Sequence, residues 1–362
     1  MRSTGVCRKY EAGAVLVQQM CYNIRMGVIN MTDSSKLKLL YILEIMKKTD
    51  ELHPFNTTEI AAKLTHYGIT AERKSISRDL RFLEYAGYSI MLCEDHNRGY
   101  YMTDQLFEDY ELKILSDAVN AAPFLTDRDS RELAKKVRSL ATIEGEELIA
   151  ATSFSDSSIK TEDKQNKTKL DQLIRAIKAK KKVSFQYYVI GRGNKRSFLR
   201  DGYIYTVSPY YLVLSQGEYY LIANPDTHDH LTHFKIELIA NICVKDESLR
   251  HPKEIAEHGK SFDITAYVKR SLNMWSGEAV DIRLRCHDSV RNHIRMRFGS
   301  DIWVSDEANG QFTISVNVAD SPGLYQWLAQ YGAAVRILSP QNVIEQYLKY
   351  LYSIQAQYDT IE

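Results

Sequence analysis

Two groups of side chains in this sequence could do chemistry. Arg73, Lys74, Ser77, Arg78 and Arg81 lie in a stretch expected to be helical over Ala71–Ala86. At the helical angle per residue they share a sector of about 140°, while Ile76, Leu80 and Leu83 share one of about 60°. Guanidinium and ammonium groups beside a small hydroxyl suit a DNA major groove, where they reach guanine acceptors and phosphates. Glu72, Asp79 and Glu84 on the same helix leave an ordinary solvated face as the alternative. Asp79 is read as a structural partner inside its domain. The second group is Arg200, Tyr205, Ser208, His233 and Lys235 on short strands and their loops. It offers an aromatic ring for stacking, hydroxyls for hydrogen bonds and cations for phosphate. An exposed sheet face without a ligand is the other reading of that row. His228, His230 and His233 with Asp226 and Asp229 lack structural-zinc spacing and are read as a polar turn, so no metal is expected. No nucleophile elbow, no H-E-x-x-H and no phosphate loop occurs, so neither an enzyme nor a cofactor is expected.

The elements that must position these groups follow from periodicity and breakers. Ser34 or Ser35 can cap a first helix carrying Leu37, Leu40, Tyr41 and Ile45. Thr57 or Thr58 caps a short second helix, Glu59–Leu64, and the third ends at Gly87. Tyr88–Cys93 and Gly99–Met102 read as a hairpin, which completes a winged helix-turn-helix. Two connector helices, Asp109–Ala121 and Asp127–Ala141, precede a polar linker over Ala150–Lys169 and a helix over Lys169–Lys180. Val183–Val189 then opens a set of short, aromatic-rich strands. Pro209 is expected to split Tyr203–Ser208 from Tyr210–Ser215, and Gln216-Gly217 to turn tightly into Tyr219–Ala223. In Leu231–Ile239 the period of two sends Phe234, Ile236 and Leu238 to a core. Short bent strands of this kind suggest a small barrel. After Tyr267–Trp275 the order β-α-β-β-α-β, with a hairpin across Asn309-Gly310, gives a ferredoxin-like module.

Ser208-Pro-Tyr-Tyr-Leu-Val-Leu214, Glu218-Tyr-Tyr-Leu-Ile-Ala223 and His233-Phe-Lys-Ile-Glu-Leu-Ile239 together resemble the core of the WYL domain, an effector module of bacterial transcription regulators. Tyr219 stands at the family's Trp, Lys235 at its first Arg, Glu237 at its Asp and Leu238 at its second Arg. Lys74–Leu80 resembles the recognition helix that usually precedes that domain, and Ile337-Leu338-Ser339-Pro340 resembles part of the WCX-type extension that follows it. The resemblance implies an Sm-like or SH3-like barrel, a double-stranded DNA partner, and a nucleotide-like or single-stranded nucleic-acid effector.

The 362 residues exceed one ordinary core, and a formal charge of +1 confines any basic surface to a local patch. Five cysteines without a C-x-x-C pair fit a reducing cytoplasm, and no apolar run near the start is long enough to span a bilayer. The expectation is therefore an α+β, multi-domain cytoplasmic protein: a disordered leader over 1–31, a winged helix-turn-helix over 32–104, a connector and linker over 105–168, a WYL-like domain over 169–248 and a ferredoxin-like extension over 267–356. It would act as a homodimeric, ligand-sensing DNA-binding regulator. An accessory protein that binds RNA or a nuclease complex, and a protein-interaction scaffold, stay open as alternatives.

Overall fold

The computed structural model describes residues 31–93, 99–153, 160–255, 262–307 and 309–359; the expected leader and the hairpin turn at 94–98 lie outside them. The chain forms two compact units. One holds the residues up to Ala122 and those from Asp127 through the third connector helix; the other holds Pro123–Thr126 and everything from Lys160 onward.

In the first unit, α1 (Met31–Met46), α2 (Thr57–His66) and α3 (Arg73–Tyr85) pack with the antiparallel hairpin β1 (Ile90–Cys93) and β2 (Gly99–Met102). The first helix begins at Met31, ahead of the serines expected to cap it. Asn56, rather than Thr57 or Thr58, caps α2 in a capping box: its carboxamide accepts from Glu59 N–H at 3.0 Å, and Glu59 accepts from Asn56 N–H at 2.8 Å. Ile42, Met46, Ile60, Leu64, Ile76 and Leu80 form the fully buried centre. Thr49 Oγ1 donates to Met46 O at 2.6 Å and accepts from Met102 N–H at 3.1 Å, so the hairpin is fastened to the end of α1. Phe55 pairs with Tyr100 across Gly99, where a Cβ would come within 2.8 Å of the Phe55 backbone. Only glycine permits that approach.

Behind this bundle lie α4 (Asp109–Ala121), α5 (Asp127–Arg138) and α6 (Ile143–Thr152). The last of these corrects the sequence reading, which ran α5 on to Ala141 and gave residues 143–149 no element. Gly145 in its first turn lowers local helix propensity. The structure compensates with Thr142, whose hydroxyl accepts from Gly145 N–H at 3.2 Å, and with Ile149 packed on Leu112 and Ala141.

The second unit opens with α7 (Asn166–Ala179), which lies over a strongly bent antiparallel sheet. The strands are β3 (Lys181–Ile190), β4 (Arg196–Phe198), β5 (Ile204–Ser215), β6 (Glu218–Pro225), β7 (Thr232–Lys235) and β8 (Ile239–Ser248). The order β4-β3-β5-β6-β7, with β8 also paired to β3, wraps Val183, Phe185, Val207, Leu221, Phe234 and Ile236 around a core capped by Leu173 of α7. Pro209 does not divide β5: the strand is continuous, and its register shifts by a bulge between Pro209 and Tyr211. A bulge admits proline because it relieves the need for a ladder donor. Gln216 and Gly217 turn β5 into β6 with φ of 52° and 82°, the left-handed pair a two-residue hairpin demands. The expected strand over residues 231–239 breaks after Lys235 into a 3₁₀ turn, Ile236–Leu238, and this leaves Leu238 only half-buried. The expected linker is also shorter than its composition suggests. Thr161 Oγ1 donates to Glu237 Oε1 at 2.8 Å, and Lys169, only 4% exposed, donates to Asp163 Oδ2 and to Glu237 O, each at 2.9 Å.

After α8 (Ile264–Arg270) comes β9 (Glu278–His287), α9 (Arg291–Phe298), β10 (Trp303–Glu307), β11 (Gln311–Asp320), α10 (Pro322–Ala329), β12 (Val335–Ser339) and α11 (Gln341–Asp359). The four strands form an antiparallel sheet in the order β10-β11-β9-β12, whose apolar face packs on Ile294, Leu324, Leu328 and Val343. Among the described residues no helix is long and apolar enough to cross a membrane.

Candidate functional site

The cationic helix and the aromatic row belong to different units. On α3, Ile76, Leu80 and Leu83 are 0%, 1% and 3% exposed and anchor the helix to α1 and α2. That burial turns Arg73, Lys74, Arg78 and Arg81 to solvent, with Ser77 at the edge, its hydroxyl donating to Arg73 O at 3.1 Å. Asp79 points the other way. Its carboxylate meets Lys38 Nζ of α1 at 2.8 Å, and the two side chains are only 20% and 13% exposed. The nearest acidic group on the helix is thereby engaged from behind. Among the described residues none of the four outward cations has a carboxylate partner. Such a face is free to exchange counterions for phosphates.

On the bent sheet, Arg200, Tyr205 and His233 border one cleft of about 320 Å³. Tyr187, Tyr203 and Phe234 join them there and complete an aromatic box. The rings of Tyr203 and Tyr205 meet edge to face at 4.9 Å, and Tyr205 and Tyr187 each stand 5.6 Å from Phe234. Arg200 is carried above them by unusual backbone. Arg200, Asp201 and Gly202 are successive left-handed residues with φ of 50°, 54° and 82°. Two non-glycine residues in that region cost of order 1–3 kcal/mol each, strain that clusters where function needs it. The guanidinium comes to rest 5.8 Å from the Tyr203 ring and 5.9 Å from that of Tyr205, within cation–π range. Among the described residues it has no carboxylate partner. Thr206, Thr227 and Thr232 supply hydroxyls around the rim. Burial pushes the Tyr187 phenol up to about 12, so it stays a neutral group, its oxygen accepting from Lys235 N–H at 3.0 Å.

Ser208, Lys235 and His233 are otherwise engaged. Ser208 is fully buried, its oxygen accepting from Arg250 N–H at 2.8 Å. Lys235 Nζ is held by Glu218 and lies 3.7 Å from Glu237, so its charge is already balanced. His233 borders the cleft, yet its ring is committed to Met274 O at 2.8 Å and Tyr267 Oη at 2.9 Å. The backbone carbonyls of His228 and His230 both accept from Asn224 Nδ2. Arg196 is likewise engaged, 3.1 Å from Asp163 and stacked over Tyr188 at 4.7 Å. Sequence reasoning missed Tyr187 and Tyr203 as site residues. The available signal was the i, i+2 pairing of Tyr203 with Tyr205 and of Phe185 with Tyr187, on strands where Phe185 and Tyr205 stand opposite each other.

Comparison with known proteins adds the domain identities. Residues 168–244 match the WYL domain and residues 278–352 match the WCX domain, so the chain carries both. Proteasome accessory factor B/C (PafBC) of Arthrobacter aurescens is 16% identical over 89% of this chain and 49% of its own length, with a TM-score of 0.27. This chain thus spans about half of that protein. A CRISPR Cas-related protein of known structure is 13% identical, covering 96% of this chain and 92% of its own, with a TM-score of 0.34. No curated protein matches.

Proposed function

We propose that this chain, with its WYL domain followed by a WCX domain, is a DNA-binding transcriptional regulator that senses a ligand. In this reading α1–α3 and the β1–β2 hairpin are a winged helix-turn-helix, and α3 enters the major groove. The WYL region is an Sm-like barrel, and the sheet order of the C-terminal module is that of a ferredoxin-like βαββαβ fold. The observation that carries the proposal is the set of four outward cations on α3, without a carboxylate partner among the described residues and set off from a buried apolar stripe on the same helix. A solvated helix face of no function would be expected to engage its own acidic residues; here Asp79 is committed to Lys38 instead.

The barrel cleft supports the sensing half. One cation over an aromatic box rimmed by hydroxyls suits a flat ring bearing phosphate, as in a nucleotide or a single-stranded nucleic acid. A ligand bound there acts by population shift, favouring one DNA-binding arrangement over another. The regulator works as a cytoplasmic homodimer on an inverted repeat, because two recognition helices one turn apart multiply specificity. The test is selection of fragmented genomic DNA by the full-length protein at two salt concentrations, beside Arg78→Ala. Recovery of one inverted repeat, weakened by about 1–3 kcal/mol per half-site in the variant, is the expected result. Sequence-blind, salt-sensitive recovery that Arg78→Ala leaves unchanged would reject promoter regulation and turn attention to RNA.

A further inference from the structure

A second cleft, of about 540 Å³, lies in the second unit, away from the aromatic box. Its walls are the tip of the β5–β6 hairpin, α8 with the turn that follows it, and the C-terminal end of α9. Two cations line it, Lys269 of α8 and Arg297 of α9, and among the described residues no carboxylate does. Ser215, Gln216, Thr265 and Asn273 add neutral polar groups, and Ile264 and Val268 add an apolar floor.

Arg297 is the informative residue. Its Nη2 donates to Lys269 O at 3.0 Å, and its guanidinium carbon sits 5.7 Å from the Phe298 ring. Among the described residues no carboxylate balances it, and burial pushes its pKa below the usual arginine value. A guanidinium presents five donors, so most of those on Arg297 are left for something else. Lys269 is exposed and also without a carboxylate partner among the described residues. Arg297 is half-buried, and taking even part of a guanidinium out of water without an opposing charge is unfavourable, a cost that a bound anion relieves. Two fixed positive charges match the charge of about −1.5 to −2 on a phosphomonoester better than the single charge of a carboxylate. Arg and Lys divide the work as they do elsewhere, a planar fork beside a point charge.

We propose that this cleft is a second ligand site, which takes a small phosphomonoester with its phosphate between Arg297 and Lys269 and its apolar part on Ile264 and Val268. The site shares no lining residue with the aromatic box. Because it joins the hairpin tip of the WYL domain to the elements leading into the WCX domain, an occupant braces the two against each other. That gives the protein a second input.

The experiment is calorimetric titration of the full-length protein with phenyl phosphate, inorganic phosphate and benzoate. The expected result is saturable binding of phenyl phosphate at about millimolar affinity or better, the range set by a ligand of that size. Arg297→Gln and Lys269→Gln each weaken it by about tenfold to a hundredfold, the usual effect of losing a charge-assisted hydrogen bond. Arg200→Ala in the aromatic box leaves it unchanged, as do both cleft variants the selection of DNA. Lys269 is exposed, so Lys269→Gln keeps the test valid should Arg297→Gln disturb folding. Four results would overturn the proposal: no saturable heat at about 10 mM, far above that range; equal loss in Arg200→Ala; inorganic phosphate binding as tightly as phenyl phosphate, which means an adventitious ion only; or tighter binding of benzoate.

Discussion

Replacing Asp79 with Asn separates two roles that charged groups play on the reading helix. The Lys38–Asp79 distance of 2.8 Å corresponds to a gross attraction of about 6 kcal/mol at an effective dielectric constant of ~20. Most of that is cancelled by desolvation, because the side chains are only 13% and 20% exposed. Lys38 keeps its hydrogen bond to Ser75 Oγ at 2.5 Å, so it is not left wholly unpaired. The net cost of Asp79→Asn to the first unit is therefore about 1–3 kcal/mol. Trp275, Trp303 and Trp327 all lie in the second unit, so tryptophan fluorescence would not report it. Hydrogen exchange of peptides covering Arg73–Tyr85 would, with protection falling by about fivefold to 150-fold. Binding to a selected operator moves the other way. The variant has one negative charge fewer per reader, so its low-salt affinity is equal or higher while it remains folded. Unchanged exchange would refute the structural role of Asp79. Weaker binding by a folded variant would refute the claim that its carboxylate faces away from DNA.

Other outcomes follow from particular contacts. Leu80→Ala removes a side chain that is 1% exposed between α1 and α3, and should destabilise the first unit by about 2–5 kcal/mol, read by the same exchange experiment. Asp163→Asn should cost the second unit about 1–3 kcal/mol in denaturant titrations followed by tryptophan fluorescence, since Lys169 loses its carboxylate partner and keeps only the neutral acceptors Glu237 O and Asn166 Oδ1. Lys169→Met should cost less, because Arg196 at 3.1 Å still holds the carboxylate; equal costs would remove Arg196 from the account. Burial raises the Asp163 pKa, but hydrogen bonds from Lys169 and Gln165 N–H and the charges of Lys169 and Arg196 outweigh it and leave the carboxyl below its ordinary value of 3.8. Its stabilisation is therefore complete above that value and fades as pH falls through the lower folded value, a loss that Asp163→Asn should abolish. Arg200→Ala should weaken binding of a fluorescent mononucleotide to the barrel by about tenfold without altering operator affinity in its absence, whereas Lys235→Ala should leave nucleotide binding as it is.

The helical wheel of residues 73–83 was legible in the sequence because a single period decides it. Once Ile76, Leu80 and Leu83 must be buried, the cations have only the opposite side to occupy. The Gln216-Gly217 and Asn309-Gly310 turns were equally local, fixed by the residues that tolerate positive φ. The barrel row was half legible. Alternation places Tyr205 and Phe234 on strands, but it does not say which side of a bent sheet closes around a cleft. Ser208 and Lys235 have suitable chemistry, yet one is buried under Arg250 and the other is neutralised by Glu218, partners 42 and 17 residues away. The position of His233 depends on Tyr267 and Met274, 34 and 41 residues on. Arg200 is the converse case: a local run of left-handed backbone lifts it over rings whose own arrangement is set by strand pairing. Periodicity and turn chemistry are properties of neighbours in the chain, so the sequence alone determined the reading helix, its cationic face and the tight turns, but not the helix at Ile143–Thr152 or the break after Lys235. Which charges remain free depends on groups brought together only by folding, and tertiary structure decided that.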